Sequence, residues 1–393
     1  MSGIASRLDA TAAAQDLRCP AASSGDVVWL DCAEALAGSF ASEWSALADH
    51  AAAPNPFYEE WNLRPALAEL AGGKDLTILA YREAGTLAGL LPVARAGTYY
   101  DRPIPHLAGW LHDNAFCGTP LIRRGSEERY WRAVLAVLDQ RAGMAFFLHL
   151  RHLPSDGPAT LALRRVLDET DRAATVVGRE ERALLASDLG SQAYFEAAMS
   201  GKKRKELRRQ AKRLGELGEL QVERPIGTEG LERWIDDFLA LEHAGWKGEE
   251  GSSLATHPPV AGYFRAALQG AARAGKLERL ALTLDGAPIA MLATFLAPPG
   301  SFSFKTAFDE RYAKFSPGVL LQQENLALLD RGDIAWCDSC AAADHPMIER
   351  IWREKRATTA VNIALGGPLK RTAFRLMSQL ERSAEPLGRA HDG

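Results

Sequence analysis

The stretch from Phe302 to Gly318 constrains this chain more than any other, because it writes a strand and the start of a helix in direct succession. On a two-residue repeat Phe302, Phe304, Thr306 and Phe308 fall on one face and Ser303, Lys305, Ala307 and Asp309 on the other, so one face is core and the other carries chemistry. Ser316 reads as an N-cap and Pro317 as the first helical residue. Gly318 leaves the backbone bare where unpaired N–H groups and the positive end of the helix dipole receive an anion. Such an arrangement suits a pyrophosphate-bearing cofactor.

The surrounding pattern extends this into an element order. From Leu220 the chain reads as a strand, helices starting at Thr228 and Pro259, a hairpin of Leu280–Leu284 and Ile289–Leu296, and the Phe302–Phe308 strand. A helix from Ser316 to Gly332, a strand at Ile334–Cys337, a helix over His345–Arg356, a strand at Val361–Leu365 and a closing helix follow. The first half repeats much of this order, around Val27–Leu30, Trp44, Leu67, the hairpin Leu76–Tyr81 and Leu87–Ala94, and the Ser126 helix. At 393 residues the chain exceeds one ordinary core. Two units are expected, 1–190 and 191–385, each of class α/β (α+β).

This order, with the segments Lys203–Leu214, Leu241–Gly248, Asp285–Ala290, Phe304–Gly318, Asp338 and Trp352, resembles the GNAT acyltransferase superfamily. The second half is more specifically similar to the tandem-GNAT acetyltransferases associated with cellulose and extracellular polysaccharide biosynthesis (BioF2-like), relatives of the Fem-type aminoacyltransferases. The resemblance covers about residues 190 to 370 and implies two GNAT-like domains, each a mixed, mostly antiparallel sheet flanked by helices. It implies acetyl-CoA or another acyl-CoA as co-substrate, with an acyl group passing directly to an amine or hydroxyl of a small molecule or polysaccharide precursor. The Gln/Arg-x-x-Gly-x-Gly/Ala loop of single-domain GNAT enzymes is absent; Lys314, Ser316, Pro317, Gly318, Val319 and Leu320 would hold the pyrophosphate instead.

Direct acyl transfer needs a base for the nucleophile, donors for the oxyanion and a proton for the leaving thiolate. Glu242 falls on the apolar stripe of its helix with Ile235 and Phe238, and is either a general base or half of a buried ion pair with Lys247 or Lys305. Lys305 and Asp309 lie ~13 Å apart along their strand, too far for an ion pair. They bracket an acceptor, or Asp309 caps the turn. Tyr312 is the candidate proton donor to the thiolate, or a packing residue. Trp246, Lys247 and Asp338 are the implied acceptor-binding residues, Lys247 alternatively closing its helix.

Charge and cysteines narrow the alternatives. The net charge of −4 excludes an overall basic balance, yet eight of the twelve residues 202–213 are Lys or Arg, with Leu207, Ala211 and Leu214 on one stripe. That helix is a solvated connector, a cradle for an anionic acceptor, a peripheral membrane contact or a tRNA contact; it lacks interleaved aromatics for base stacking. A Fem-like enzyme using aminoacyl-tRNA, or a non-catalytic accessory protein of polysaccharide synthesis, are the rival functions. The five cysteines give one C-x-x-C, Cys337 and Cys340, with only His345 nearby, so no metal is expected. Met1–Leu17 lacks the pattern of a leader and no apolar run spans a bilayer, making the cytoplasm the expected compartment.

Overall fold

The computed structural model describes residues 25–343, 345 and 347–383; Met1–Leu17, on which the leader argument rests, lies outside them. The first half runs β1 (Asp26–Leu30), α1 (Cys32–Leu36), α2 (Gly38–Asp49), α3 (Glu60–Leu70), β2 (Leu76–Glu83), β3 (Thr86–Ala96), β4 (His106–Gly109) and β5 (Leu121–Ile122). It continues with α4 (Glu127–Arg141), β6 (Phe147–Pro154), α5 (Pro158–Glu169) and β7 (Ala174–Leu185). The second half runs α6 (Ser191–Ala198), α7 (Gly201–Gly215), β8 (Leu220–Glu223), α8 (Leu231–His243), α9 (Trp246–Glu249), α10 (Pro258–Arg273), β9 (Leu277–Leu284) and β10 (Ala287–Ala297). β11 (Gly300–Phe308), α11 (Pro317–Asn325), β12 (Trp336–Asp338), β13 (Glu354–Ala364) and α12 (Pro368–Ser383) complete it. Among the described residues no helix is long and apolar enough to cross a membrane.

The strands form one 13-stranded sheet in the order β1-β2-β3-β4-β6-β13-β7-β12-β11-β10-β9-β8, with β5 attached to β3. The order repeats itself from either edge: two hairpins' worth of antiparallel strands, one parallel pair, then a strand belonging to the other half. The parallel pairs are β4 with β6 and β11 with β12. β7 ends the first half yet pairs with β12, and β13 ends the second half yet pairs with β6. The halves have therefore exchanged their last strands, and β7 pairs with β13 along nearly its whole length at the centre of the pseudo-twofold. One apolar core spans both halves, packing Trp44, Phe57, Phe238, Phe264 and Phe304 together; a second lies under α6, α7 and α11.

Two sequence expectations give way here. The helix over His345–Arg356 is absent: residues 347–351 form turns, and β13 begins at Glu354. Ile348, Ile351 and Trp352 carry helical spacing because a single turn, closed by Trp352 N–H on the Ile348 carbonyl, buries all three. The Ser316 helix also ends early, at Asn325, and a 3-10 turn carries the chain to Asp330. β7 itself has no counterpart in the sequence reading, since Arg179-Glu180-Glu181-Arg182 masks its alternation.

That charged run is joined to the sheet by a buried cluster. Asp338, fully buried at the end of β12, accepts from Arg182 of β7 at 2.9 Å and Arg356 of β13 at 3.1 Å, and Arg356 lies 3.7 Å above the Trp336 ring. Two guanidiniums cannot stay buried against each other without that carboxylate. Asp338→Ala is expected to cost roughly 3–5 kcal/mol in denaturant unfolding; a loss below about 1 kcal/mol, the size of an exposed pair, contradicts the cluster's role.

Candidate active site

β11 and β12 pair only from Gly300↔Trp336 to Phe302↔Asp338 and then part. The local cause is Asp338, whose second oxygen accepts the Cys340 N–H at 2.9 Å and turns the chain out of the sheet, with Cys340 at φ 53°. β11 continues alone, and a cavity of about 480 Å³ fills the opening. Ser303–Thr306 line one wall and Ser339–Ala341 the other.

β11 does not keep the simple alternation its sequence suggests. Thr294 of β10 faces Ser303 but Ala293 faces Lys305, so Phe304 is an extra residue in a β-bulge. Phe304 and Lys305 consequently share the side of the first core, while Thr306 and Phe308 change to the side of the second. The bulge aims the lysine into the cavity. Its ammonium stands 5.4 Å from the Phe116 ring and 5.8 Å from the Phe304 ring.

The cavity is lined from both faces of the sheet. On the first-core side stand Phe116, Trp246, Lys247 and Lys305; on the second stand Ala313, Ser316–Val319, Met347 and Ile348. Phe116 comes from the first half. The corresponding opening there, between β4 and β6, is closed by the chain itself: Gly118 donates to the His152 carbonyl, and a Cβ on it would stand 2.1 Å from the Arg151 carbonyl oxygen.

The sequence-derived candidates sort by position. Trp246, Lys247, Lys305, Ser316, Pro317, Gly318 and Val319 meet in the cavity lining. Glu242 is buried and engaged, holding Lys247 Nζ at 2.8 Å and the Leu254 N–H at 2.8 Å, which is the ion-pair alternative. Asp309 caps the 3-10 turn Glu310–Phe315 and binds the exposed Arg311, which is the capping alternative and leaves no bracket with Lys305. Tyr312 packs beneath the Arg311 guanidinium, outside the lining. Asp338 is sealed under its two arginines rather than open to an acceptor.

The helix start departs from the expected cap. Ser316 is left-handed, at φ 54°, and its side chain makes no cap hydrogen bond. The Val319 and Leu320 N–H groups both donate to the Ser316 carbonyl, so they are not open to an anion. Met347 lies over Gly318, its sulfur 2.4 Å from where a Cβ would stand. Lys314 is exposed, its ammonium 4.9 Å from the Phe315 ring.

Two basic lining residues, Arg350 and His345, were not singled out as site residues from the sequence. Arg350 adds an exposed cation at the margin. His345 has a buried Nδ1 that meets no hydrogen-bond geometry with another residue, and burial chiefly lowers its pKa, with a contact to its own backbone opposing this and the Lys247 charge adding to it, keeping the ring neutral at pH 7. Its only sequence signal was proximity to the C-x-x-C. Both of those thiols are buried; Cys337 is pushed up to about 12, mainly by burial.

The family described as acetyltransferase (GNAT) domain matches residues 201–346, which contain β8 to β12, the bulge and the helix start. No protein of curated function matches the chain in sequence. Among solved structures, FemX is similar at 11% identity and TM-score 0.56, covering 86% of this chain and 98% of FemX. A conserved protein of unknown function from Bacteroides thetaiotaomicron is similar at 10% identity and TM-score 0.53, covering 83% of this chain and 97% of its own. These structures show the fold, and the domain match supports an acyltransferase. The polysaccharide association has no support among them.

Lys305 gives the site a measurable signature. Burial first and the Lys247 charge second pull its pKa down to about 8, against 10.5 for a free lysine. Below pH 8 the folded protein carries the cost of holding that charge at a half-buried position, and the cost disappears as pH rises from about 8 to 10.5, where the unfolded chain still holds the proton. Lys305→Met is therefore expected to be more stable than wild type at pH 7, with the gap closing across that window in urea titrations. A variant less stable at pH 7 contradicts the assignment.

Proposed function

We propose that this protein transfers an acyl group from a coenzyme A thioester to an amine or hydroxyl acceptor, using the opening between β11 and β12. The observation that carries this reading is a single cavity lined from both faces of the sheet, within the range of ordinary ligand sites. The donor would enter from the side of α11 and the acceptor from the side of Trp246 and Lys247. The residues fit a phosphate-bearing donor differently from the sequence expectation: the Gly318 N–H, Lys314 and Arg350 supply the positive potential, since the next two N–H groups are used. The donor supplies an activated acyl carbon. The unpaired Nδ1 of His345 would take the proton that the acceptor loses as the new bond to that carbon forms and the carbon–sulfur bond breaks, and return it to the departing sulfur.

Calorimetric titration with acetyl-CoA tests the donor site. Ala313→Glu places a carboxylate at an exposed position of the lining and is expected to weaken binding roughly tenfold or more. His345→Asn is expected to keep binding but lower kcat about 10²-fold or more. Wild type that binds no acyl-CoA overturns the reading.

A second reading has its own observation. α7 lies against the turn leading to α11, with Gln210 donating to the Lys314 carbonyl. Among the described residues Lys202, Lys203, Lys205, Arg208, Lys212 and Arg213 have no ion pair. This basic face beside the site suits an aminoacyl ester of RNA as donor. An RNA hairpin whose affinity falls steeply between about 50 and 200 mM salt, as expected of a contact that neutralises several phosphates, supports that donor; salt-insensitive or absent binding excludes it.

A further inference from the structure

Among the described residues no carboxylate pairs with the Lys305 cation. Among the described residues its ammonium has neither a hydrogen bond nor an ion pair, although it stands between two aromatic rings in the cavity. The charged and titratable groups facing it are Lys247 and Glu242 from the end of α8 and beyond, Cys340 after β12, and Asp113 and His112 from the first half. None of them answers its charge. Glu242 is committed to Lys247 and the Leu254 N–H, Asp113 is exposed, the Cys340 thiol is held protonated by burial, and burial holds His112 neutral. A half-buried ammonium left in this condition at a cavity wall is costly unless a ligand supplies the missing counter-ion. The aromatic rings on either side offset part of the cost, but a ring face is a weak substitute for an anion.

We infer that the acceptor is anionic, carrying a carboxylate or a phosphate that pairs with Lys305 beside its nucleophilic nitrogen or oxygen. This rests on the acyl-transfer reading, which it deepens by naming the acceptor's chemistry. Trp246, half exposed at 48% and adjoining Lys247, gives the acceptor's less polar part a surface. The bulge at Phe304 is the device that puts the lysine there; without the extra residue Lys305 would face the second core. The acceptor's charge also brings Lys305 back towards the ordinary lysine range, so binding holds the proton on the ammonium to higher pH than in the free protein.

The test compares wild type, Lys305→Met and Lys305→Arg. Thermal unfolding at pH 7 is measured in acetate and in phosphate against chloride at equal ionic strength. Wild type is expected to gain Tm in at least one of the two anions relative to chloride. Lys305→Met should start higher and show no difference between anions, and Lys305→Arg should keep the wild-type response. Acetyl transfer from acetyl-CoA is then followed by thiol release with matched acceptors, L-amino acids against their amides and glucosamine 6-phosphate against glucosamine. The first pair reads carboxylate, the second phosphate. The charged member is expected to exceed its neutral partner about 100-fold in kcat/KM, a preference lost in Lys305→Met. Anion responses equal in wild type and Lys305→Met, or a charge preference surviving that substitution, overturn the inference. Where neither pair turns over, the unfolding comparison decides alone. Acetyl-CoA titration on the same samples separates the two readings. An anion response without acetyl-CoA binding overturns the thioester donor and keeps the anion seat, whereas acetyl-CoA binding without a Lys305-dependent anion response overturns this inference alone.

Discussion

The buried contact of Asp338 with Arg182 and Arg356 is the interaction on which the rest of this structure depends. The two arginines come from β7 and β13, the strands that the halves exchange, so the carboxylate holds the centre of the sheet together. Its other function is geometric. The same side chain accepts the Cys340 N–H and ends the pairing of β12 with β11 after three residues. A charge cluster that stabilises the join between halves thus also opens the sheet, and the opening is the candidate site. Buried ion pairs are often no better for stability than apolar packing, and here the geometry gives a reason for one to be kept.

The pseudo-twofold sheet offers two such openings, and among the described residues the chain itself packs into the first-half one. In the first half the loop after β4 packs onto β6, with Gly118 against Arg151 and His152, and its Phe116 crosses to line the second-half cavity. The first half therefore serves the second by supplying a wall. Lys305 gains from that wall an aromatic face, and among the described residues no acid forms an ion pair with it. The site is electrostatically incomplete in a specific place, which is what makes an anionic acceptor the natural complement.

Much of the second half was legible in the sequence. The β9–β10 hairpin, apolar on both faces around Asp285-Gly286, appears where the composition puts it, and β11 and α11 follow as the Phe302–Gly318 pattern demands. Periodicity fails where one residue changes the phase: nothing in Ser303-Phe304-Lys305 announces a bulge, so the faces of Thr306 and Phe308 come out reversed. It fails again where partners are remote. β7 looks solvated until Asp338, over 150 residues away, neutralises Arg182, and β13 is read only from Val361 because Ile348, Ile351 and Trp352 imitate a helix with one turn. For the cavity lining, Lys305, Lys247 and Trp246 were visible as residue types on the elements that form it. His345 was not, because its position depends on a turn no local pattern specifies.

The central claim is that the parting of β11 and β12 is where the acyl donor lies. Amide hydrogen exchange read by mass spectrometry, with and without acetyl-CoA, tests it most directly. The account predicts slowed exchange at residues 303–306, 316–319 and 339–341 together, with the first-half opening around 106–109 and 147–154 unchanged. Protection confined to α7 or to the first half, or no protection at all, would contradict it.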